Sequence, residues 1–259
     1  KFLENYLYQK KNIQFLNNKF IEKINFEKNY IELYDLKNNK NEIIEYQNLF
    51  LSCGSIGTPL LLMNSTELYK KITLYETQHF SGLATLKKKN HKSFKINLRN
   101  KKVYLQFYDL NFLINYFLGT NLNLLKSNLN IVQLYLDKTN SSKIELYRDN
   151  DDLVFEGKQN PNLTDEYIDS LKDEINNSQD NFQMKKIFKS GIGSSNHIGC
   201  SFPMGKKKSI YSTIELGKLA NTNNVYIYDS SCLNDIDTQP ISSINMLNII
   251  RMIMENEKL

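Results

Sequence analysis

Tryptophan is absent from this chain, and the residues that punctuate or staple a fold are scarce: 3 cysteines, 4 prolines and 10 glycines in 259 residues. Three cysteines, Cys53, Cys200 and Cys232, are too few and too scattered for a disulfide framework. No CxxC pair or other zinc-type spacing occurs. The cysteines read as small buried hydrophobes in a reducing compartment, the cytoplasm. No apolar run reaches the length needed to span a membrane, and the first residues do not read as a signal peptide. Of the 3 histidines, neither His79 nor His91 has a partner at metal-ligand spacing, so no metal is expected. His79 follows Gln78 in a strand-like segment; a polar surface strand is the expected setting, a substrate pocket the alternative. Charge of one sign is also lacking: 33 Lys and Arg stand against 28 Asp and Glu, a net +5. The lysines are scattered, and the triplets Lys87–Lys89 and Lys206–Lys208 read as solvated loops. Nucleic acid is therefore not an expected partner.

What is present is a globular composition, 41% hydrophobic and 24% charged, in a length that allows one large or two modest domains. Residues 13–46 read as short strands: Ile13–Leu16, Phe20–Phe26, Tyr30–Leu36 and Glu42–Tyr46. Lys37–Asn41 forms a turn between the last two, and the set predicts an antiparallel meander. Asn48–Cys53 is nearly continuous apolar sequence, as in a strand buried on both faces. Gly54-Ser55-Ile56-Gly57-Thr58-Pro59 and a leucine-rich run follow. This is strand, glycine turn, helix, with Thr58 as N-cap and Pro59 at the first helical position. Such a helix start can aim backbone N–H groups at an anion.

The middle of the chain reads as an antiparallel sheet covered by helices. Strand candidates are Thr73–Leu86, Phe94–Leu98, Lys102–Tyr108, Asn130–Leu136, Lys143–Tyr147 and Leu153–Glu156. Asn111–Leu118, with the region to Leu129, reads as helical. A helix capped near Asn162–Thr164 is predicted to run to about Asn177, and Gln183–Phe188 is one more short element. At the end, Val225–Tyr228 is a compact strand followed by Asp229-Ser230-Ser231. Ile241 to about Met254 forms a helix, apolar around most of its circumference and so expected to be largely buried.

Four of the glycines fall in residues 190–205, around His197, in a run of small and turn-forming residues. A glycine-rich segment lets the backbone come close to another group, and an imidazole on it can be presented to a ligand. A surface turn carrying an incidental histidine is the alternative.

Three motifs in fixed order resemble the C-terminal part of the glucose–methanol–choline (GMC) family of FAD-dependent oxidoreductases. Leu49–Ser65 resembles that family's strand, Gly-Ala-Ile-Gly-Ser-Pro and leucine-rich helix, departing after Ser65. His197–Gly205 resembles His-x-x-Gly-Thr-Cys-Arg-Met-Gly, with Cys200 where glycine is usual and Phe202 and Pro203 for Cys and Arg. Val225–Ser231 with Gln239-Pro240 and an apolar helix resembles the terminal block of strand, Asp-Ala/Gly-Ser, loop, Asn-Pro and helix. The N-terminal Gly-x-Gly-x-x-Gly turn of the family is not in this sequence, so the chain is expected to be the C-terminal half of a longer protein.

The resemblance implies an α+β / α/β fold: the C-terminal part of an FAD-binding, GMC-type fold with an antiparallel-sheet substrate domain. It implies three segments: 1–66 in the FAD-binding domain, 67–195 as the substrate domain, and 196–259 returning to the FAD-binding domain. It implies FAD as cofactor, with an alcohol or sugar hydroxyl oxidised to a carbonyl and an unspecified electron acceptor. His197 would accept the hydroxyl proton, and Gln239 would stand at the second catalytic position, with Asn196 as a substitute polar group. Gly54, Ser55 and Gly57 would line the nucleotide portion. Asp229, Ser230 and Ser231 would contact the ribityl–phosphate part, and the helix start at Pro240 and Ile241 would face the flavin ring. The changed Gly, Arg and Asn positions keep open a non-catalytic flavin-fold binding or assembly subunit. A flavin-free α+β domain is the third alternative.

Overall fold

The computed structural model describes residues 12–87, 93–98, 101–110, 129–150, 152–195, 197–205, 209–236 and 241–256. The helix expected between Asn111 and Leu129 falls almost entirely outside them. So do His91, Asn196, Gln239 and Pro240.

The chain opens with the predicted meander. Strands β1 (Lys19–Asn25), β2 (Tyr30–Asp35) and β3 (Lys40–Glu45) pair antiparallel in sequence order. Asn29 and Asn39 take positive φ at the two turns, a conformation asparagine tolerates well. Ile13–Leu16 is not a strand: its residues lie exposed, ahead of the sheet. The buried Asp35 carboxylate anchors the sheet end, accepting from Lys19 Nζ at 2.7 Å and from the Lys37 and Asn38 amides.

β4 (Leu49–Leu51) pairs in parallel with β14 (Val225–Ile227), joining the two ends of the sequence. Burial of β4 on both faces is not observed. Leu51 is buried, but Phe50 is 49% exposed and stacks on Tyr226 at 5.1 Å. Among the described residues β4 has a single partner strand, β14.

Helix α1 (Gly54–Ser65) starts earlier than its sequence predicts. Cys53 is the N-cap, and Thr58 and Pro59 lie inside the helix. The reason is long-range. Gly54, at φ +83°, donates its N–H to Asp229 Oδ2 at 3.1 Å, and Thr58 Oγ1 donates to the same oxygen at 2.5 Å. A distant carboxylate thus closes the turn that a local hydroxyl was expected to close.

The middle of the chain builds two antiparallel sheets. β5 (Lys71–Glu76), β10 (Lys143–Asp149), β11 (Asp152–Lys158) and β13 (Ile198–Gly199) form one, in the order β11-β10-β5-β13. β6 (His79–Leu86), β7 (Ser93–Leu98), β8 (Lys101–Asp109), β9 (Leu129–Leu136) and β12 (Phe182–Lys189) form the other, in the order β12-β6-β9-β8-β7. The single run expected over Thr73–Leu86 is two strands. At its break, the Gln78 amide N–H donates to Ser141 Oγ.

Helix α2 (Asp165–Ser178) packs on the second sheet. It is capped by Thr164, whose hydroxyl accepts from the Tyr167 N–H at 3.2 Å, with Asp165 and Glu166 in the favourable first turn. Its Ile168, Leu171 and Ile175 meet Phe80, Val132, Leu134 and Phe182 in one core. A second core joins α1 to both chain ends and to the four-stranded sheet through Leu51, Leu62, Ile72, Leu146, Phe202 and Ile227.

Helix α3 (Ile241–Asn256) is not largely buried. Ile241 and Met252 are buried, but Met246 and Leu247 are 63% and 67% exposed, and Ile250, Ile253 and Met254 are exposed too. The apolar circumference read from the sequence is real; among the described residues nothing covers its outer half. No helix among the described residues is long and apolar enough to cross a membrane.

Candidate functional site

The glycine-rich segment is pinned before it reaches His197. Gly193, at φ +76°, donates its N–H to the buried Glu76 carboxylate at 3.0 Å. Burial pushes the Glu76 carboxyl above its ordinary value, partly opposed by that amide and the Ser195 amide. The His197 N–H donates to Ser195 Oγ at 3.0 Å, and its carbonyl accepts from the Thr77 N–H at 3.1 Å. β13 then joins the edge of β5, with Ile198 opposite Glu76.

Immediately after the histidine, the backbone lies against the turn that follows β14. A Cβ on Gly199 would stand 2.5 Å from the Ser230 carbonyl oxygen, so only glycine allows this approach. The Cys200 N–H donates to that carbonyl at 3.0 Å, and Ser230 Oγ donates to the Ile198 carbonyl at 3.0 Å. Cys200 is buried at φ +57°, a conformation that favours glycine, and packs with Leu233, Ile236 and Ile241 at the start of α3. Burial pushes its thiol up to about 12. The segment that follows His197 therefore meets Ser230 through Gly199 and Ile241 through Cys200, drawing the three positions into one neighbourhood.

Asp229 takes an interior position. Oδ1 accepts from the Ser231 N–H at 2.8 Å, and Oδ2 accepts from Gly54 and Thr58. Its carboxylate organises the start of α1 instead of facing outward. Ser55 and Gly57 sit in the first turn of that helix, which has no side-chain cap, and a Cβ on Gly54 would meet nothing within 4 Å. The Gly54 N–H is taken by Asp229, so the first-turn N–H groups after it and the open space above that glycine are what a phosphate-bearing group could face. The hydroxyls of Ser201 and Ser231 are buried and have no hydrogen-bond partner among the described residues. On these observations the residues present fit a dinucleotide cofactor. Of the three cysteines, Cys53 is exposed, against expectation, because it caps α1 from outside the core.

One face of the five-stranded sheet is turned away from its core. Along it run His79 and Ser81 of β6, Gln133 and Tyr135 of β9, and Tyr104 and Tyr108 of β8; the alternate residues Phe80, Val132, Leu134, Val103 and Leu105 fill the core. His197 stacks on Tyr135, with ring centroids 4.9 Å apart and planes 19° from parallel. His79 lies 5.0 Å from the same ring. The phenols of Tyr108 and Tyr135 both donate to Gln133 Oε1, at 3.3 and 3.0 Å. Burial lowers the His197 imidazole below its ordinary value, with a smaller contribution from His79; burial also lowers His79. A neutral imidazole can accept a proton, which is the chemistry this site supports.

His79 is half-buried beside the Tyr135 ring instead of fully solvated, and Tyr135 was missed in the sequence. The available signal was the alternation through Ile131, Gln133 and Tyr135, an amide and a phenol on the non-core face of a strand. Among the described residues no group of three His, Cys, Asp or Glu side chains could hold a metal ion.

Strand, glycine turn and helix joined in parallel to a C-terminal strand, beside an antiparallel sheet with one open face, is an architecture shared with a solved oxidase. That protein is pyridoxine 4-oxidase from Mesorbium loti. Its crystal structure superposes with a TM-score of 0.64 over 97% of this chain at 12% sequence identity. The chain spans 59% of the length of that oxidase. No protein-family profile and no curated protein sequence matches the chain.

Proposed function

We propose that this chain is the C-terminal part of a GMC-type, FAD-dependent oxidoreductase that oxidises an alcohol or sugar hydroxyl to a carbonyl. The observation that carries this reading is the convergence of His197, the Gly199–Ser230 contact and Ile241 in one neighbourhood. The oxidase fold over 97% of the chain supports it. Gly54, Ser55 and Gly57 would hold the cofactor through the open start of α1, with Asp229 fixing that start from behind. Ser230, Pro240 and Ile241 would border the flavin from the side of α3. FAD, when bound, supplies the acceptor for the hydride that leaves the carbinol carbon.

The residues of this chain manage the other half of the reaction. The substrate hydroxyl lies against the open face of the five-stranded sheet. His197 takes its proton as the O–H bond breaks and becomes an imidazolium. Gln239 holds the same oxygen by its amide N–H. Tyr104, Tyr108 and Gln133 bind and orient the rest of the substrate, and their bulk keeps water from the reacting oxygen. Residues 1–66 and 196–259 serve the cofactor, and 67–195 the substrate. The segment that completes the FAD-binding domain covers the outer face of α3, and the whole acts in the cytoplasm.

The test uses the protein with its full N-terminal portion. It is expected to be yellow and to bleach anaerobically with a suitable alcohol, and His197→Ala should stay yellow and fail to bleach. Cys200 favours a second reading, because a buried side chain at φ +57° stands where the resembled family has glycine. Colour without bleaching across a broad panel of alcohols and sugars would establish a non-catalytic flavin-fold subunit instead. Absence of colour would point to a flavin-free domain.

A further inference from the structure

His197 has a fixed backbone and a side chain that no hydrogen bond orients among the described residues. Its N–H and carbonyl are tied to Ser195 and Thr77, whose hydroxyls are themselves 3.2 Å apart. Its Nδ1 is buried and has no hydrogen-bond partner among the described residues. Imidazoles that handle protons are ordinarily held by a carboxylate or carbonyl on the second nitrogen, which fixes ring plane and tautomer. The buried Glu76 carboxylate, on the strand paired with β13, is engaged by the Gly193 N–H instead.

What meets the His197 ring is Tyr135, stacked at 4.9 Å and nearly parallel. Tyr135 is held in turn. It sits across from His79 on one neighbouring strand and Tyr104 on the other, and its phenol donates to Gln133 Oε1 at 3.0 Å. Gln133 is braced by the Tyr108 phenol.

We propose that Tyr135 is the positioning residue for His197: its ring replaces the missing carboxylate, setting the imidazole plane so that Nε2 faces the reacting hydroxyl. The proposal rests on His197 being the proton acceptor. When the substrate O–H bond breaks, the N–H bond forms at Nε2 and positive charge spreads over the imidazole. The electron-rich face of Tyr135 stabilises that charge from the side. Tyr104 also lies against the stack, with His79 and Tyr108, which burial shifts toward their neutral forms.

The full-length, flavin-loaded protein tests this with Tyr135→Phe, Tyr135→Leu and, as a second aliphatic variant should the leucine fail to fold, Tyr135→Met. Steady-state kinetics and the ring-proton NMR shifts of His197 are read together. Tyr135→Phe keeps the ring, so kcat should stay close to wild type and the His197 protons should keep their upfield ring-current shift. The aliphatic variants should lose that shift and lower kcat by about 10²-fold, as expected for a misplaced reacting group, with KM and flavin content little changed. An aliphatic variant with wild-type kcat beside an inactive His197→Ala would overturn the positioning role and leave the proposed reaction standing. A fully active His197→Ala would overturn the reaction itself, whatever stands at position 135, and the positioning role with it.

Discussion

Asp229 directs both carboxylate oxygens to the protein: three donors from Gly54, Thr58 and Ser231 converge on it, and it is buried. Removing a charged partner leaves those donors unsatisfied, and a buried group left so costs as much as its desolvation. Asp229→Ala should therefore destabilise the protein by about 3 kcal/mol, read as a lowered urea midpoint. Thr58→Val should cost less, since it removes one donor of the three. Glu76 gives a prediction of opposite sense. Its carboxyl titrates above the ordinary 4.5 because it is buried. The native state then holds a proton that the unfolded chain has released, so stability falls as pH rises from 4.5 through the raised native value. Glu76→Gln keeps an acceptor for the Gly193 N–H and should flatten that slope in urea midpoints taken across the range. Neither role was legible in the sequence. The family resemblance offered Asp229 as a cofactor contact, and the order strand, Asp, Ser, Ser carries no sign of its hold on α1. Its partners, Gly54 and Thr58, are 175 and 171 residues away in sequence.

At the scale of elements, local pattern was reliable wherever local physics decides. The alternation through Tyr30–Leu36 gave β2, and the acidic first turn after Thr164 gave α2. It failed where a distant group decides. α1 begins at Gly54 because Asp229 closes its turn, and β4 exposes Phe50 because the chain supplies a single partner strand. The site is assembled at such long-range meetings, which is why His197 could be singled out but not its stacking partner: the register that puts Tyr135 opposite His79 is invisible in either strand alone. Two glycines test these meetings. A Cβ on Gly82 would lie 2.7 Å from the Lys186 carbonyl oxygen, beside the bulge between Met184 and Lys186. Gly82→Ala should cost about 2 kcal/mol, as backbone must shift to admit it. Gly199→Ala should cost a similar ~2 kcal/mol, with one difference. It pushes β13 from Ser230, so flavin content should fall in Gly199→Ala and hold in Gly82→Ala, measured by absorbance per protein after refolding.

At the scale of the molecule, the two faces that lack a cover are related. Among the described residues β4 and β14 form a parallel sheet of two strands, and parallel sheets are ordinarily buried on both faces. α3, packed on the turn after β14, turns Met246, Leu247, Ile250, Ile253 and Met254 outward as one apolar strip. A strip of this kind on a helix end is a site for another layer of protein. The proposed function identifies that layer as the rest of the FAD-binding domain, beyond the 59% of an oxidase that this chain spans. Leu247→Glu separates this from an ordinary exposed leucine. In the full-length protein the side chain would be covered, and the substitution should cost about 2 kcal/mol in urea denaturation with loss of bound flavin. In the chain of 259 residues alone the same position meets water, so stability should hold and self-association, followed by sedimentation, should diminish. Equal stability of wild type and Leu247→Glu in the full-length protein would show that the strip stays open to solvent there too, and that the missing strands of the parallel sheet do not come from the direction α3 faces.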